Sequence, residues 1–436
     1  MTNKQIQTNS AAVSRRQALK TGLAVGAGLL AAPGYLRAQG ANERLNLGVV
    51  GIGGRGRANL DALYKQNIVA LCDVDDERAG DAYEKYAQAR KFYDYRQMLD
   101  ALGSELDGVV INTPDHTHYH PTMAALDLGL HIYLEKPMAQ AVSEVRQITE
   151  KAKEKGVATQ LGVQRHTIGN VHRVVELIKS GAIGDVTEVY SKKGGSRGMP
   201  DMPDRFPPVP DHLKWDLWLG PAEWREYSPA YCPYHWRFWW DFGTGETGNW
   251  GCHILDIPYW ALDLDFPTHV AASGPEVDPE RTPKEMFSTF KFPAKDGRPE
   301  VTLHWDHTNE PFPYKEKYNM PDWGNTLFVG TKGALLCDFG KRLLLPEADF
   351  ADFEAPEPFI PDSPGFHEEW VIACKGGEPA TCDFAYSGPL AETVALGNTA
   401  YRAQQDFEWD AKTLTAKGAP AAEPFLRPTY RQGWSV

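Results

Sequence analysis

The run Gly51-Ile52-Gly53-Gly54-Arg55-Gly56 constrains this chain more than any other, because of what stands on either side of it. The apolar run Leu45–Val50 precedes it directly, and a helical pattern over Arg57–Gln66 follows. A GxGxxG string alone is weak, but between a strand and a helix it has a mechanical meaning. Its first glycine permits a tight turn, its second lets a pyrophosphate approach the backbone, and its third lets helix and strand pack closely. The helix N-terminus adds partial positive charge. Asp73 ends the next apolar run, Ile68–Cys72, where a carboxylate can accept both ribose hydroxyls of NAD and would repel a 2′-phosphate. Gly51, Gly53, Gly54, Arg55, Gly56 and Asp73 are therefore candidate cofactor contacts; Arg55 and Arg57 leave NADP possible. The competing reading is a glycine-rich turn of some other α/β protein.

The surrounding pattern supports the nucleotide reading. Strand-like runs at Ile68–Cys72, Gly108–Ile111 and His131–Leu134 alternate with helical patterns at Glu77–Ala89 and Pro121–Leu128, which predicts a doubly wound parallel sheet. From about residue 160 the pattern changes. A helix at Val171–Ser180 ends at Gly181, and β-rich runs follow at Val186–Ser191, Val301–Asp306, Leu327–Val329 and Leu335–Cys337. The expected fold class is α/β: an N-terminal Rossmann sheet over 41–160, then a C-terminal α/β domain over 161–436 with a large, mostly antiparallel open sheet.

Residues 1–40 read as an address. Ser14-Arg15-Arg16-Gln17-Ala18-Leu19-Lys20 is a twin-arginine core, and the uncharged stretch Thr21–Ala32 is too short to span a bilayer. The mature protein is expected to be periplasmic or otherwise exported, with no membrane span. Twin-arginine systems carry folded proteins, which suits a chain that loads a cofactor before leaving the cell. With 45 Lys+Arg against 58 Asp+Glu, a net charge of −13 and no basic run argue against a nucleic-acid partner. The six cysteines form no CxxC pair and none has a histidine at zinc-finger spacing, so no metal is expected; Cys374 and Cys382 are near enough in sequence to pair in an oxidising compartment. HExxH, GxSxG, GxxxxGK[ST] and SxxK with its partners are all absent.

Two further loops should border the cofactor, because ligands of doubly wound sheets sit at the carboxyl ends of the strands. Asn112-Thr113-Pro114-Asp115-His116-Thr117-His118-Tyr119-His120 follows one strand; its alternating histidines invite a metal reading, although loop and cap roles suffice. Glu135-Lys136-Pro137 ends another, and the proline forces its predecessor into an extended conformation that can aim Lys136 outward. In the second domain Asn249, His253, Asp256 and Trp260 share one helical face behind the glycine-rich run Gly243–Gly248. A lone buried histidine there is more often structural than catalytic. Eight of the thirteen tryptophans fall between Trp215 and Trp260. Aromatic faces suit the C–H faces of pyranose rings, and Tyr234, His235, Trp236 and Arg237 are the better substrate candidates, whereas Trp239, Trp240 and Trp250 read equally well as core.

Taken in order and spacing, GxGxxG, Asn112-Thr113-Pro114 through His118 and Glu135-Lys136-Pro137 resemble the Gfo/Idh/MocA family, which includes glucose–fructose oxidoreductase and inositol dehydrogenase. The resemblance continues through Gly162-Val163-Gln164-Arg165, Ser180–Gly184, Trp218–Pro221 and Gly251–Asp256, and so covers nearly all of 44–405. It implies an enzyme, an NAD(P)-dependent oxidoreductase in which Lys136 and His253 flank the reacting hydroxyl of a sugar or glycoside. It further implies cofactor contacts from Asn112, Thr113, Pro114, His118, Glu135 and Lys136, substrate contacts from Arg165, Asn249 and Asp256, and a homo-oligomer (dimer or tetramer) built through the open sheet. Many members carry Asp four residues before the histidine. Here that position is Asn249, which can hydrogen-bond a hydroxyl but cannot take its proton, so proton transfer falls on Lys136 and His253, with Glu246 nearby in sequence. An exported enzyme lacks a pool that reoxidises NADH, so the cofactor is expected to be held tightly and recycled within turnover. Such a cycle can oxidise one sugar and reduce another, or oxidise a ring hydroxyl transiently, eliminate an aglycone and re-reduce. A non-catalytic sugar-binding protein is the reading from a different class.

Overall fold

The structure, a computed structural model, describes residues 44–434. The twin-arginine segment lies outside the described residues.

Six strands form the first sheet: β1 (Asn46–Val50), β2 (Asn67–Cys72), β3 (Arg90–Phe92), β4 (Gly108–Ile111), β5 (His131–Leu134) and β6 (Thr159–Leu161). Their order is β3-β2-β1-β4-β5-β6, and every pairing is parallel. β4 and β5 are buried along their whole length because helices cover both faces, which is why they read as continuous apolar runs rather than alternating ones. The order reverses between β1 and β4. That switch point opens a crevice at the carboxyl ends of these two strands, bordered by the glycine loop and by the loop that starts at Asn112.

The second sheet has nine strands: β7 (Val186–Lys192), β8 (His269–Ser273), β9 (Phe287–Phe292), β10 (Val301–Asp306), β11 (Thr326–Gly330), β12 (Gly333–Cys337), β13 (Arg342–Leu345), β14 (Phe407–Asp410) and β15 (Thr415–Lys417). The order is β13-β12-β11-β7-β10-β9-β8-β14-β15. Only β7 and β10 pair in parallel. Val301, Leu303 and Trp305 of β10 point into the core, while Thr302 and His304 stand on the opposite, half-open face. The helices Gly169–Lys179, Cys252–Leu262 and Phe384–Ala403 belong to this half of the chain.

The chain then returns to the first sheet. The helix Phe366–Cys374 buries Trp370 against Gly108 of β4, where a Cβ would stand 3.2 Å from the indole. Trp370 also meets the Tyr133 ring edge-on at 5.9 Å. The amide of Leu161 donates to the Cys382 carbonyl at 2.9 Å, and that of Phe384 to Thr159 Oγ1 at 2.9 Å. Residues 366–403 therefore close the core of the first sheet as well as the second. All six cysteines are buried and free, so Cys374 and Cys382 serve as core residues here. Among the described residues no helix is long and apolar enough to cross a membrane.

One ion pair ties the two halves together. Arg146, on the helix Val142–Lys155, donates to both oxygens of Glu392 on the helix Phe384–Ala403, at 2.8 and 3.0 Å from Nη2, and Glu392 is 1% exposed. Burial still holds the Glu392 carboxyl up at about 7. Arg146→Met strands that carboxylate and should cost roughly 3 kcal/mol at mildly alkaline pH. Without the guanidinium, Glu392 titrates higher than in the wild type. The deficit is thus smallest below pH 7, where both folded proteins carry the proton, and it grows as pH rises through 7. Urea unfolding at about pH 5.5 and about pH 8.5 checks this; a deficit that shrinks on raising the pH contradicts the sign.

Candidate active site

The glycine loop is shaped by contacts that admit no side chain. Gly51 adopts φ +79°, and its amide donates to the Cys72 carbonyl at 2.9 Å. A Cβ on Gly56 would stand 2.1 Å from the Gly51 carbonyl oxygen, so the helix Arg55–Ala62 could not start this close to β1 with any larger residue. Asp73 closes the far side. Its carboxylate accepts from the amides of Ile52 at 2.6 Å, Gly53 at 3.3 Å and Asp75 at 3.0 Å, yet burial outweighs those bonds and raises its pKa. Arg78 lies over the loop, close enough that a Cβ on Gly53 would come within 2.8 Å of its Nε.

Across the crevice, Asn112 Nδ2 donates to the Gly51 carbonyl at 3.0 Å, which binds the β4 loop to the β1 loop. Glu135, 5% exposed, sits beneath. Its Oε1 accepts from Arg55 Nε at 3.2 Å, Asn59 Nδ2 at 2.8 Å and Gln164 Nε2 at 2.7 Å. The residue after it carries its charge to the helix start at Asn249. Lys136 Nζ donates to the Asn249 carbonyl at 2.6 Å and to Asn249 Oδ1 at 3.1 Å, and burial lowers its pKa. The histidines of the β4 loop do not converge on a metal. His116 lies between the Phe242 and Trp218 carbonyls, His118 between those of Pro137 and Thr113, and His120 against that of Trp434.

The second domain delivers Asn249 and His253 through an irregular helix start. Thr247–Gly251 form a π-helical turn that runs into the α-helix Cys252–Leu262, and single π turns are commonly found at functional sites. Three side-chain contacts fix the segment before it: Thr244 Oγ1 donates to Asp115 Oδ2 at 2.6 Å, Asn398 Nδ2 to the Thr244 carbonyl at 3.0 Å, and Trp305 Nε1 to Thr247 Oγ1 at 3.1 Å. Gly248 has no room for a Cβ, which would lie 1.8 Å from Thr244 Oγ1. Asn249 is oriented from behind, donating Nδ2 to Glu246 Oε2 at 3.1 Å, and Glu246 is itself clamped by Arg197 at 2.8 and 3.0 Å. Glu246 thus acts on the site through Asn249. His253 is half-buried, its buried Nδ1 has no hydrogen-bond partner, and desolvation beside Lys136 and Arg165 drops its pKa well below the usual imidazole value.

One cavity of about 590 Å³ joins these parts, from Gly51, Gly53, Gly54 and Arg55 through Asp73 to Lys136 and His253. Asn112, Thr113, Pro114, Glu135, Arg165, Tyr234, Trp236, Arg237 and Asn249 line it as well. Four predicted site residues stand outside its lining. Gly56 and His118 sit behind the wall, as packing residues. His235 is exposed on the surface. Asp256 shares the helical face expected of it but lies a turn deeper, where it accepts from His166 Nδ1 at 2.9 Å and from Tyr386 OH at 2.6 Å, with Trp260 stacked on His166 at 4.0 Å. His166, Asp256 and Cys382 are the one group among the described residues that gathers potential metal ligands, and the first two are already bonded to each other. Trp239 and Trp240 are core. The cavity also has walls the sequence did not single out, including Arg78, Asp115, Trp218 and Trp434. Asp115 had a signal, being the one carboxylate in the loop after β4; Trp434 had none.

An open parallel sheet with a glycine cradle at its switch point, facing a second antiparallel-sheet domain across one cavity, defines a two-domain dinucleotide-binding α/β protein. Family comparison narrows this. Residues 45–163 match the Gfo/Idh/MocA oxidoreductase family's NAD-binding Rossmann fold, and residues 183–319 match its C-terminal alpha/beta domain. The chain belongs to that family. It is 27% identical over 163 residues to inositol 2-dehydrogenase of Salmonella typhimurium, covering 36% of this chain and 48% of that one. It is 28% identical over 153 residues to 2,7-anhydro-N-acetylneuraminate hydratase of Escherichia coli, covering 35% and 40%. The chain thus spans about half the length of the first of these curated relatives, or less. Among solved structures it superposes on the WlbA dehydrogenase of Bordetella pertussis in complex with NADH and UDP-GlcNAcA, with TM-score 0.60 and 16% identity over 84% of this chain and 99% of that one. The last likeness is one of fold.

Gly56→Ala should separate the cradle from the rest of the cavity. Its Cβ forces the loop open, so the protein should fold with a lowered Tm and carry less than roughly a tenth of the wild type's bound dinucleotide. Nucleotide released on denaturation measures this; wild-type content in the variant would show that the loop does not hold the pyrophosphate.

Proposed function

We propose that this protein is an NAD(P)-dependent oxidoreductase that acts on a hydroxyl of a sugar or sugar derivative, with a tightly held cofactor recycled within each turnover. The observation that carries the reading is the single cavity in which the glycine cradle, the Lys136 amine and the His253 ring meet. NAD is the favoured cofactor because Asp73, directly after β2, presents a half-buried carboxylate; Arg78 over the glycine loop offers a cation for the pyrophosphate. A nicotinamide bound there supplies the hydride acceptor and, later, the donor.

The chain's own residues handle the proton. Two N–H groups of Lys136 are engaged by Asn249, so the third position of its nitrogen faces the cavity, and when the amine is neutral that position is a lone pair. Burial lowers the pKa of Lys136 and so brings the neutral form within reach. The pKa of His253 falls so far that it is a poor base but a stable neutral ring, suited to hydrogen-bond and orient the hydroxyl. Lys136 is therefore the base and His253 the orienting group. Asn249, Trp236, Tyr234, Arg237 and Arg165 complete the substrate wall. Export through the twin-arginine route and assembly through the half-open face of the nine-stranded sheet belong to the same proposal. The similarity to a sugar hydratase supports, as a second reading, a redox-neutral cycle in this site.

Protein purified without added nucleotide and then denatured should release about one dinucleotide per chain, mostly NAD(H); an empty protein contradicts the recycled cofactor. Lys136→Ala should keep that nucleotide and lose about 10³-fold in kcat. In the wild type, kcat/KM should rise with pH as Lys136 loses its proton, with a midpoint below the ordinary lysine range. A profile flat in pH, or an active Lys136→Ala, excludes Lys136 as the base. Product analysis separates the two cycles: net sugar oxidation marks the first and aglycone release without added oxidant the second.

A further inference from the structure

The cavity's charges name the substrate more narrowly. Five cationic side chains line it, and their partners differ. Arg55 is paired with Glu135, and Arg78 stands at the glycine loop. Lys136 is held by neutral oxygens. That leaves Arg165 and Arg237, beside the reacting end, and among the described residues neither forms an ion pair with a carboxylate.

Both guanidinium groups are instead held by aromatic faces. Arg165 Cζ lies 4.3 Å from the Phe339 ring centroid and 5.2 Å from that of Trp250. Arg237 Cζ lies 4.2 Å from Trp236 and 4.7 Å from Tyr234. Stacking fixes a guanidinium plane while leaving its N–H edge free. The Arg165 guanidinium makes no hydrogen bond to the protein among the described residues, and that of Arg237 makes one, from Nη1 to the Tyr234 carbonyl at 3.0 Å. Burial lowers the pKa of both, and no carboxylate is bonded to either guanidinium. Asp115 is the one nearby carboxylate that attracts Arg237, and it is engaged with Thr244. Glu246, the other buried acid of this region, is neutralised by Arg197. In a chain of net charge −13, a pocket end with this local excess of positive charge is a site that draws an anion against the general field.

We infer that the sugar carries a carboxylate, received by the free guanidinium edges of Arg165 and Arg237, so that the substrate class is a uronic or aldonic acid or a conjugate of one. The inference rests on the proposed reading of the cavity as a sugar site and adds the charge of its ligand.

The test uses the full chain with its dinucleotide bound and reads binding by calorimetry, so it does not depend on turnover. The probes are D-glucuronate, D-galacturonate and D-gluconate, each compared with glucose and galactose. At least one acid should bind roughly 10- to 100-fold more tightly than its neutral parent, with the advantage falling as salt rises. Arg165→Gln, with dinucleotide content as the check on its fold, should bring the Kd of that acid up to that of the neutral sugar. Arg237→Gln should do the same independently, should the first variant fold poorly. Equal binding of acid and neutral sugar, failure of every acid to bind, or an acid preference that survives both substitutions overturns the inference. Turnover is scored apart: an acid that binds through Arg165 but yields no product sinks the proposed reaction and leaves this assignment standing.

Discussion

The site depends on burying one amine. β5 carries Lys136 out of the first sheet into a place where its acceptors are two neutral oxygens of a single asparagine rather than a carboxylate. A carboxylate in their place would hold the ammonium charged; neutral acceptors leave desolvation free to weaken it. That arrangement needs the second domain in register to within a hydrogen bond. The contacts Thr244–Asp115, Asn398–Thr244 and Trp305–Thr247 supply the register from three different elements. Glu135 completes the device from below: its carboxylate is bonded to Arg55, Asn59 and Gln164, so it attracts Lys136 without hydrogen-bonding it.

The substitution of Asn for Asp ahead of the histidine gains its meaning from Glu246. An aspartate at 249 would face the buried Glu246 carboxylate across about one hydrogen bond and repel it. Asn249 instead donates to Glu246 and accepts from Lys136, so a chain of neutral and paired groups runs from Arg197 to the amine. The negative charge that an aspartate would bring is moved three residues back, to Glu246, and capped by arginine.

How far the sequence could be read depended on whether a signal was local. The glycine loop, β1, β2, β4 and β5 were legible because strand, turn and helix signals abut there and because apolar runs mark strands covered on both faces. β3, Arg90-Lys91-Phe92, was not, since a short charged edge strand has no periodicity to show. Lys136, Asn249 and His253 were found by their motifs, and the structure places all three in the lining of one cavity. Asp256 was misplaced because its helical face was right while its depth, set by His166 and Tyr386, is tertiary information. Arg165 was flagged, but the lack of a counterion around it appears only once distant Phe339 and Trp250 are placed against it. Trp434 reaches the cavity from the far end of the chain, and nothing near it in sequence points there.

The return of residues 366–403 to the first sheet bears on how the molecule comes into being. Gly108 and Tyr133 stay bare on one side until Trp370 arrives, a separation on the order of 260 residues for the Gly108 contact, and closing so long a loop is slow. A ribosome that has released only the nucleotide-binding half presents an unfinished sheet with an apolar flank. The bond from His367 to Asn59, beside the glycine loop, likewise forms only once residues 366–403 have been made. The half that looks in sequence like an independent module takes part of its core from residues 366–403.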